Sequence, residues 1–504
     1  MRHSPLLARL PGPALAIAAL LLLVANLWSG SLVNSDDAIY ASMAQGAFER
    51  AEWFDLRWHG AVLHEKPPMF FWLVAGMGAL FGFNDFAVRL PGALAGFGVL
   101  LLVVSVARRL GYGRDRALFA AALCLASGCF FFTARRVMTD MPLLFWGLLS
   151  LDQWLAGRQK PRRLLLWGAA LGAAVLTKWL AALPFVLLVV ADGLCDGRGA
   201  FWRHRATRGW LLAGAAVALL IAAPWHVRQM LVHGAEFWRV YFGYHVIERA
   251  TGGLVEASSP LYYLVGARHR EGALLLLWGG GAGVLVHRLV VRRGRDSGAW
   301  WLLAWLAITL VPIHLAGTRL YHYLLPAVPA LSLLVARALP EPRTAPARRL
   351  LMGFGLAFLA LTFISNNGRD WAWPDYSAGT RQLAPELAAL SDGAVVAVIN
   401  DYDVAATWYS GRPVPLWTTS PDLARAWSVD MMVRAGAVEL FTPEELRKRL
   451  AGAGEIALLA PEVLLAELRT LVRGAGRPAP RVARAQDKVL LITLPSRGRL
   501  GSDG

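Results

Sequence analysis

The chain has 504 residues, of which 56 % are hydrophobic and only 17 % are charged, and its formal net charge is +17. This balance excludes a disordered chain, which needs few apolar residues and many charges. It also excludes a single soluble domain, whose surface needs more charged residues. A basic chain can indicate nucleic-acid binding, but these arginines fall in short clusters between apolar runs. That pattern is typical of a multi-pass membrane protein, so we expect membrane lipids and no nucleic acid among its partners.

Apolar runs that are candidate membrane spans occur eleven times. They cover residues 10–33, 88–107, 117–134, 141–156, 164–177, 179–192, 209–226, 271–290, 298–313, 320–337 and 349–365. The first run lacks a cleavage site of small residues, so we interpret it as a retained helix rather than a signal peptide. Residues 1–365 are therefore predicted to form an all-α polytopic domain with about 11–13 transmembrane helices.

Clusters of basic residues give the expected orientation of these helices. They lie at residues 108–116, 158–163, 198–208, 288–295 and 343–349. The positive-inside rule makes these loops and the N-terminus cytoplasmic, and it puts the large loops 34–87 and 227–270 on the outer side. The apolar run 67–83 would reverse every later loop if it crossed the membrane, so we interpret it as an interfacial or re-entrant helix.

The composition changes after residue 365. Strand-like runs at 394–399, 455–460 and 488–494 alternate with helix-like stretches, so residues 366–504 are predicted to form a small soluble α/β domain on the outer side. The three cysteines, Cys124, Cys129 and Cys195, are odd in number and fit no ligand spacing. We therefore expect neither structural disulfides nor a zinc site.

Polar residues are unusually frequent in the outer loops. Asp36, Asp37 and Tyr40 follow the first helix, at a spacing that puts an aspartate and the tyrosine on one helix face. The alternative is an ordinary N-cap, with Ser35 or Asp36 capping helix 37–49. Lys66 comes after Glu65 and before two prolines, and it can hold a phosphate as a point charge or act as a snorkelling interfacial lysine.

A third motif joins two arginines to an acid. Arg135 and Arg136 lie on a predicted outer corner, against the positive-inside trend, so we expect an anionic partner there. Asp140 follows at the start of the next apolar run, where it is either a site residue or a plain N-cap.

Taken in order, these motifs resemble the membrane glycosyltransferases of the GT-C fold, and among them the bacterial aminoarabinose (lipid A) transferases and the protein O-mannosyltransferases. The matching stretches are Asp36-Asp37 with Tyr40, Glu65-Lys66-Pro67-Pro68, Phe86 to Pro91, Asp140, Leu176-Thr177-Lys178, Pro224-Trp225, Phe237-Trp238-Arg239, Gly317 to Leu320 and Tyr323 to Pro326. The resemblance covers about residues 20–335. It indicates the superfamily and does not identify the sugar or the acceptor.

The resemblance implies an inverting glycosyltransferase in the bacterial inner membrane, with its C-terminal domain in the periplasm. The donor would be a polyprenyl-phosphate sugar, such as undecaprenyl-phosphate aminoarabinose, and the acceptor lipid A or another envelope glycolipid or protein. The residues that match family positions are Asp36 and Asp140 as catalytic, Lys66, Arg89, Arg249 and Arg319 as phosphate-binding, and Asp37, Tyr40, Lys178 and Tyr323 as substrate-binding.

This sequence departs from the close relatives in three places. Asp37 stands where they have glutamate, Arg319 stands where they have lysine, and the histidine before Arg249 is one residue out of register. No cofactor is certain from the sequence. A divalent metal ion is a candidate, held by Glu65 and His245, and the alternative for His245 is an ordinary interfacial histidine.

Other functions stay open at this level. The same donor could serve a protein O-mannosyltransferase-like enzyme or a transferase of the lipopolysaccharide core. A transporter or flippase of lipid-linked sugars is the rival from another class. Transporters carry charged residues and broken helices near the bilayer midplane, whereas these charges cluster at helix ends, which favours an enzyme.

Overall fold

The computed structural model describes residues 11–195, 205–248, 251, 261–291, 296–368, 371, 375–427, 432 and 436–494. The chain divides into two compact units. The first contains residues up to 27, 64–73 and 89–372, and the second contains residues 28–63, 74–88 and the chain from 373 onward. A mostly helical chain with a small sheet near its C-terminus confirms the predicted fold class.

The first unit is mainly helical, and two of the helices, Met69–Phe81 and Asp85–Arg109, lie partly in the second unit. The helices are α1 (Pro11–Val24), α3 (Met69–Phe81), α4 (Asp85–Arg109), α5 (Arg114–Ala126), α6 (Gly128–Ala134), α7 (Asp140–Gly157), α8 (Arg163–Lys178), α9 (Leu183–Cys195), α10 (Arg205–Trp238), α11 (Tyr262–Glu271), α12 (Ala273–Val291), α13 (Ser297–Leu315), α14 (Val328–Ala338) and α15 (Ala345–Thr362). A 3₁₀ segment, Tyr321–Ala327, precedes α14. The second unit contributes α2 (Asp36–Glu49) from the first large loop.

Five helices of the described residues are long and apolar enough to cross a membrane, and a bent pair makes a sixth. These spans are Asp85–Arg109, Thr207–Tyr244, Ala273–Val291, Ser297–Leu315 and Ala345–Ser365, with the pair Arg114–Ala126 and Gly128–Ala134. The protein is thus a multi-pass membrane protein. Several of the eleven predicted runs fall in shorter helices; α8, for example, has 16 residues and reaches only about 24 Å at 1.5 Å per residue.

Helix α3 lies in the run 67–83, which the charge pattern predicts to be interfacial or re-entrant. It has 13 residues, which is about 20 Å of helix against a hydrocarbon core of about 30 Å. That length is consistent with the interpretation, which stays a prediction.

The run 117–134 is one continuous apolar stretch in the sequence, but the structure breaks it at Ser127 and bends it by 72°. The Ser127 hydroxyl accepts a hydrogen bond from the Phe130 N–H and so caps α6. The Glu271 carboxylate accepts from the Gly128 N–H at 3.0 Å and the Cys129 N–H at 2.9 Å. It also accepts from the Tyr321 hydroxyl at 2.6 Å. These acceptors satisfy amide groups that a new helix start leaves without partners in its own helix.

The second unit contains a six-stranded sheet in the order β5-β4-β3-β6-β8-β7. Its strands are β3 (Val395–Ile399), β4 (Leu416–Thr418), β5 (Val438–Leu440), β6 (Ile456–Pro461), β7 (Arg481–Ala485) and β8 (Lys488–Thr493), and a separate two-stranded ribbon pairs β1 (Arg57–Trp58) with β2 (Ala61–Val62). Strands β3 to β6 pair in parallel and β8 runs antiparallel to β6 and β7. The strands β3, β6 and β8 confirm the three predicted strand-like runs.

Short helices pack with this sheet. They are α16 (Ala378–Gln382), α17 (Ala384–Ala388), α18 (Ala405–Ser410), α19 (Pro421–Trp427), α20 (Pro443–Gly452) and α21 (Leu465–Gly474). The core between sheet and helices includes Trp417, Leu446, Leu458 and Leu468, each at most 2 % exposed. Their burial removes apolar surface from water and is the main force that holds this part together.

Residues of the first large loop pack into the same unit as the C-terminal chain. The Asp85 carboxylate accepts from the Trp408 indole N–H at 3.0 Å and from the Tyr409 hydroxyl at 3.1 Å. The Tyr409 hydroxyl in turn accepts from the Leu32 N–H at 2.8 Å. These hydrogen bonds join the loop residues to the C-terminal chain. The predicted division at residue 366 separates the two.

Replacing Glu271 tests the break between α5 and α6. Glu271→Ala leaves three donors without the acceptor that they share. Each unsatisfied buried donor costs about 1–3 kcal/mol. We expect the free energy of unfolding to fall by at least about 3 kcal/mol, measured by denaturation in mixed micelles. The matched control is Glu444→Ala, since that side chain is 74 % exposed. Equal stability of the two variants would contradict this role for Glu271.

Candidate functional site

Asp140 is the centre of a charged cluster in the first unit. It is the first residue of α7, is 9 % exposed, and its Oδ1 lies 2.8 Å from the Lys178 Nζ. Lys178 is the last residue of α8. Because only residues 158–162 join the two helices, α8 runs back along α7 and its end returns to the start of α7. The short loop therefore explains why residues 38 apart in sequence form an ion pair.

The 3₁₀ segment Tyr321–Ala327 adds two ring side chains to this ion pair. The His322 Nε2 lies 4.0 Å from the Asp140 Oδ1. The Lys178 Nζ lies 5.5 Å from the centre of the Tyr323 ring, a distance at which a cation is attracted to an aromatic face. His322 was not singled out in the sequence, although it lies in the same short stretch as the matched Tyr323.

Lys66 is the second lysine of the cluster. Its side chain is 9 % exposed, and its Nζ lies 4.0 Å from the Glu65 carboxylate. The preceding His64 packs its ring against His233, with 4.6 Å between ring centres, and edge-on against Phe237. Pro67 and Pro68 then lead into α3 and restrict the backbone after the lysine.

The charges around Asp140 determine its ionisation. Burial raises the pKa of the Asp140 carboxyl, but Lys178 above all, and then His322 and Lys66, lower it more, so that the pKa falls to about 2. The carboxyl is therefore ionised at neutral pH. We call Lys66, Asp140, Lys178, His322 and Tyr323 the Asp140 cluster; it combines a fixed negative charge with two ammonium groups, which can bind a phosphate.

The aspartates of the first motif lie in the second unit. Helix α2 begins at Asp36, and the Tyr40 hydroxyl donates to the Asp36 Oδ2 at 3.3 Å, one turn along the helix. Asp37 is fully buried. Ser35 occupies the N-cap position but makes no capping hydrogen bond through its side chain. Burial raises the pKa of Tyr402 to about 12, and the Asp36 charge adds to that effect.

Three arginines from the sequence analysis contact backbone carbonyls. Arg89 is fully buried and donates from Nη1 to the Leu27 carbonyl at 2.7 Å. Arg319 donates from Nη2 to the His314 carbonyl at 3.1 Å. Arg135 donates from Nη1 to the carbonyls of Leu22, Leu23 and Ala25, at 3.2, 2.9 and 2.8 Å. The carbonyls at the end of α1 therefore accept from Arg135, while an anionic partner beside Arg135 and phosphate binding by Arg89 and Arg319 stay predictions.

Two predicted site residues cannot be placed. Arg249 lies outside the described residues, and so does the side chain of His245. Within the described residues, no group of three or more histidine, cysteine, aspartate or glutamate side chains could hold a metal ion. The suggested metal pair of Glu65 and His245 therefore stays a prediction.

The chain is similar in sequence to named families. Residues 65–227 match the model of the dolichyl-phosphate-mannose-protein mannosyltransferases. The chain is 31 % identical over 354 residues to undecaprenyl phosphate-alpha-4-amino-4-deoxy-L-arabinose arabinosyl transferase 1 of Pseudomonas fluorescens, over 67 % of this chain and 61 % of that protein. It is 30 % identical to transferase 2 of another Pseudomonas fluorescens strain, over 70 % of this chain and 64 % of that protein. The matches thus span less than two thirds of these relatives.

Solved structures share the fold. The crystal structure of ArnT from Cupriavidus metallidurans bound to undecaprenyl phosphate superposes with a TM-score of 0.72 and 20 % identity, over 95 % of this chain and 97 % of that one. The oligosaccharyltransferase of Archaeoglobus fulgidus superposes with a TM-score of 0.61 and 13 % identity, over 99 % and 76 %. These identities are low, so the likeness establishes the fold alone. The chain is a membrane protein of the GT-C fold that resembles the undecaprenyl phosphate-aminoarabinose arabinosyl transferases.

Proposed function

We propose that the protein is an inverting glycosyltransferase that moves a sugar, aminoarabinose or a similar one, from undecaprenyl phosphate to lipid A. The observation that carries the proposal is the Asp140 cluster, in which Lys178 pairs with a buried, ionised carboxylate and the charge of Lys66 also acts on it. Similarity to the aminoarabinose transferases, at 31 % identity over two thirds of the chain, supports the donor and the acceptor. The same likeness and the arginine-rich loops support an inner membrane location, with both large loops and the C-terminal region in the periplasm.

The leaving group explains the need for two lysines. Glycosyl transfer passes through an oxocarbenium-like state as the leaving group departs. A polyprenyl phosphate departs as an anion, so it needs positive charge rather than a proton. Lys66 and Lys178 supply that charge, with Arg89, Arg249 and Arg319 as further candidates. Asp140 keeps the Lys178 ammonium oriented through their 2.8 Å contact.

Asp36 acts on the acceptor in this proposal. If the acceptor is a hydroxyl, the Asp36 carboxylate is its general base. If the acceptor is a phosphate of lipid A, no base is needed, and Asp36 orients the acceptor or stabilises the sugar cation. Tyr40 supports the carboxylate through the hydrogen bond to its Oδ2, and Asp37 is a neighbouring substrate-binding candidate.

A protein acceptor is the second candidate function. The observation that favours it is the match of residues 65–227 to the protein mannosyltransferase model. A core sugar of lipopolysaccharide is a further acceptor for the same donor. Transfer to each of these acceptors uses the same donor, from which the phosphate departs. The acceptors differ in the group that attacks the sugar, so the products distinguish them.

The first test replaces the proposed base. Asp36→Asn should lower transfer at least about 100-fold, the usual size of a general-base contribution, with protein levels unchanged. Mass spectrometry of lipid A, core oligosaccharide and periplasmic proteins from a deletion strain, complemented with wild type or variant, measures this and identifies the acceptor. The matched control is Asp392→Asn, an exposed aspartate of the C-terminal region.

Full rescue of the glycan by Asp36→Asn would refute its role. An unchanged glycan profile in the deletion strain would refute the transferase itself and favour a transporter of lipid-linked sugars.

The second test concerns phosphate binding. Lys178→Gln should lower kcat/KM for the undecaprenyl-phosphate donor about 10- to 100-fold, because hydrogen bonds of charged groups are worth about 1.5–3 kcal/mol. Lys178→Arg should retain more activity because it keeps the charge. Lys448→Gln is the control, since Lys448 is 75 % exposed and its Nζ also pairs with a carboxylate at 2.8 Å. A Lys178→Gln enzyme with wild-type kcat/KM would exclude Lys178 from the donor site.

A further inference from the structure

An apolar groove lies between α1, α4, α5 and α15 of the first unit. It encloses about 520 Å³. Apart from Arg114, aliphatic, aromatic and glycine residues line it, among them Leu15, Ala18, Leu118, Phe119 and Leu359. Several lining residues are alanine or glycine, which leaves the groove open where larger side chains would fill it.

A polar pocket of about 580 Å³ adjoins the groove and shares Arg114, Leu118 and Met352 with it. Arg114, Arg343 and Arg348 line this pocket together with two acids, Asp115 and Glu341. The acids are already in contact with arginines. The Arg348 Nε lies 3.6 Å from the Asp115 carboxylate, and Glu341 forms an ion pair with Arg116. The pocket therefore has an excess of positive charge beside an apolar groove.

This groove is separate from the Asp140 cluster. Arg114 is the first residue of α5, while Asp140 follows α6, at the far end of the bent span. Helix α5 alone has 13 residues, which is about 20 Å. The pocket also belongs to two of the arginine clusters that the positive-inside rule puts on the cytoplasmic side. A ligand here would therefore reach the protein from the leaflet opposite the proposed donor site.

We propose that the groove and the pocket together bind an anionic phospholipid of that leaflet, with an acyl chain in the groove and the phosphate beside Arg114 and Arg343. The charge argues for a lipid with a net negative head group, because a zwitterionic lipid would gain less from the excess arginine. The groove argues for a lipid rather than a free phosphate, because an apolar groove that adjoins the arginine pocket can hold an acyl chain, which a free phosphate lacks. This site is independent of the proposed glycosyl transfer.

The test is binding of a fluorescent phosphatidylglycerol to the purified full-length protein in detergent micelles. We expect each of Arg114→Gln and Arg343→Gln to weaken binding about fivefold, the effect of one basic residue near an anionic lipid surface. The matched control is Arg162→Gln, which removes one exposed arginine from another predicted cytoplasmic loop and should change binding little. Phosphatidylethanolamine should compete at least about fivefold less well than unlabelled phosphatidylglycerol.

A second variant tests the groove without changing the charge. Ala18 is exposed and lines the groove, so Ala18→Phe should fill it without disturbing the packed interior and should weaken phosphatidylglycerol binding. Free glycerol phosphate should fail to displace the lipid. Equal competition by phosphatidylethanolamine would overturn the proposal, and so would an equal loss of binding in Arg162→Gln and Arg343→Gln. The proposal would also fail if the protein self-associates and Ala18→Phe abolishes that self-association.

Discussion

Backbone groups that a helix end leaves unpaired must find partners, and in apolar surroundings water does not supply them. Two ends in the first unit meet this constraint with charged side chains. At the end of α1, the carbonyls of Leu22, Leu23 and Ala25 accept from Arg135, and the Leu27 carbonyl accepts from Arg89. At the start of α6, two N–H groups donate to Glu271. In both places the side chain carries a charge opposite to the partial charge of the helix end.

This constraint extends to the Asp140 cluster. The same Glu271 carboxylate that binds the start of α6 accepts from the Tyr321 hydroxyl, and Tyr321 directly precedes His322 and Tyr323. The segment that carries two members of the cluster is thereby tied to the helix break. The first unit thus uses one buried carboxylate for a structural purpose and a second, Asp140, for its charged cluster.

The sequence was sufficient to predict the class of fold and much of the Asp140 cluster. Lys66, Asp140, Lys178 and Tyr323 were each identified separately, and the structure brings them together. The sequence does not predict the break at Ser127, because residues 117–134 carry no charge and only two hydroxyl side chains, Ser127 and Thr133. The Ser127 cap is local, but its partner in binding the start of α6, Glu271, lies more than 140 residues away, and that pairing leaves no local pattern. For the same reason nothing in the sequence linked Asp85 to Trp408 and Tyr409.

The contact between Asp85 and Trp408 has a consequence for how the chain is made. The two residues are 323 positions apart, and at about 5–20 residues per second their syntheses are separated by roughly 15–65 seconds. During that interval the loop that carries Asp36 is already complete, but its hydrogen-bonding partners on α18 do not yet exist. Translation therefore sets the earliest time at which the second unit can form, and any chain released before residue 408 leaves Asp85 without its partners Trp408 and Tyr409.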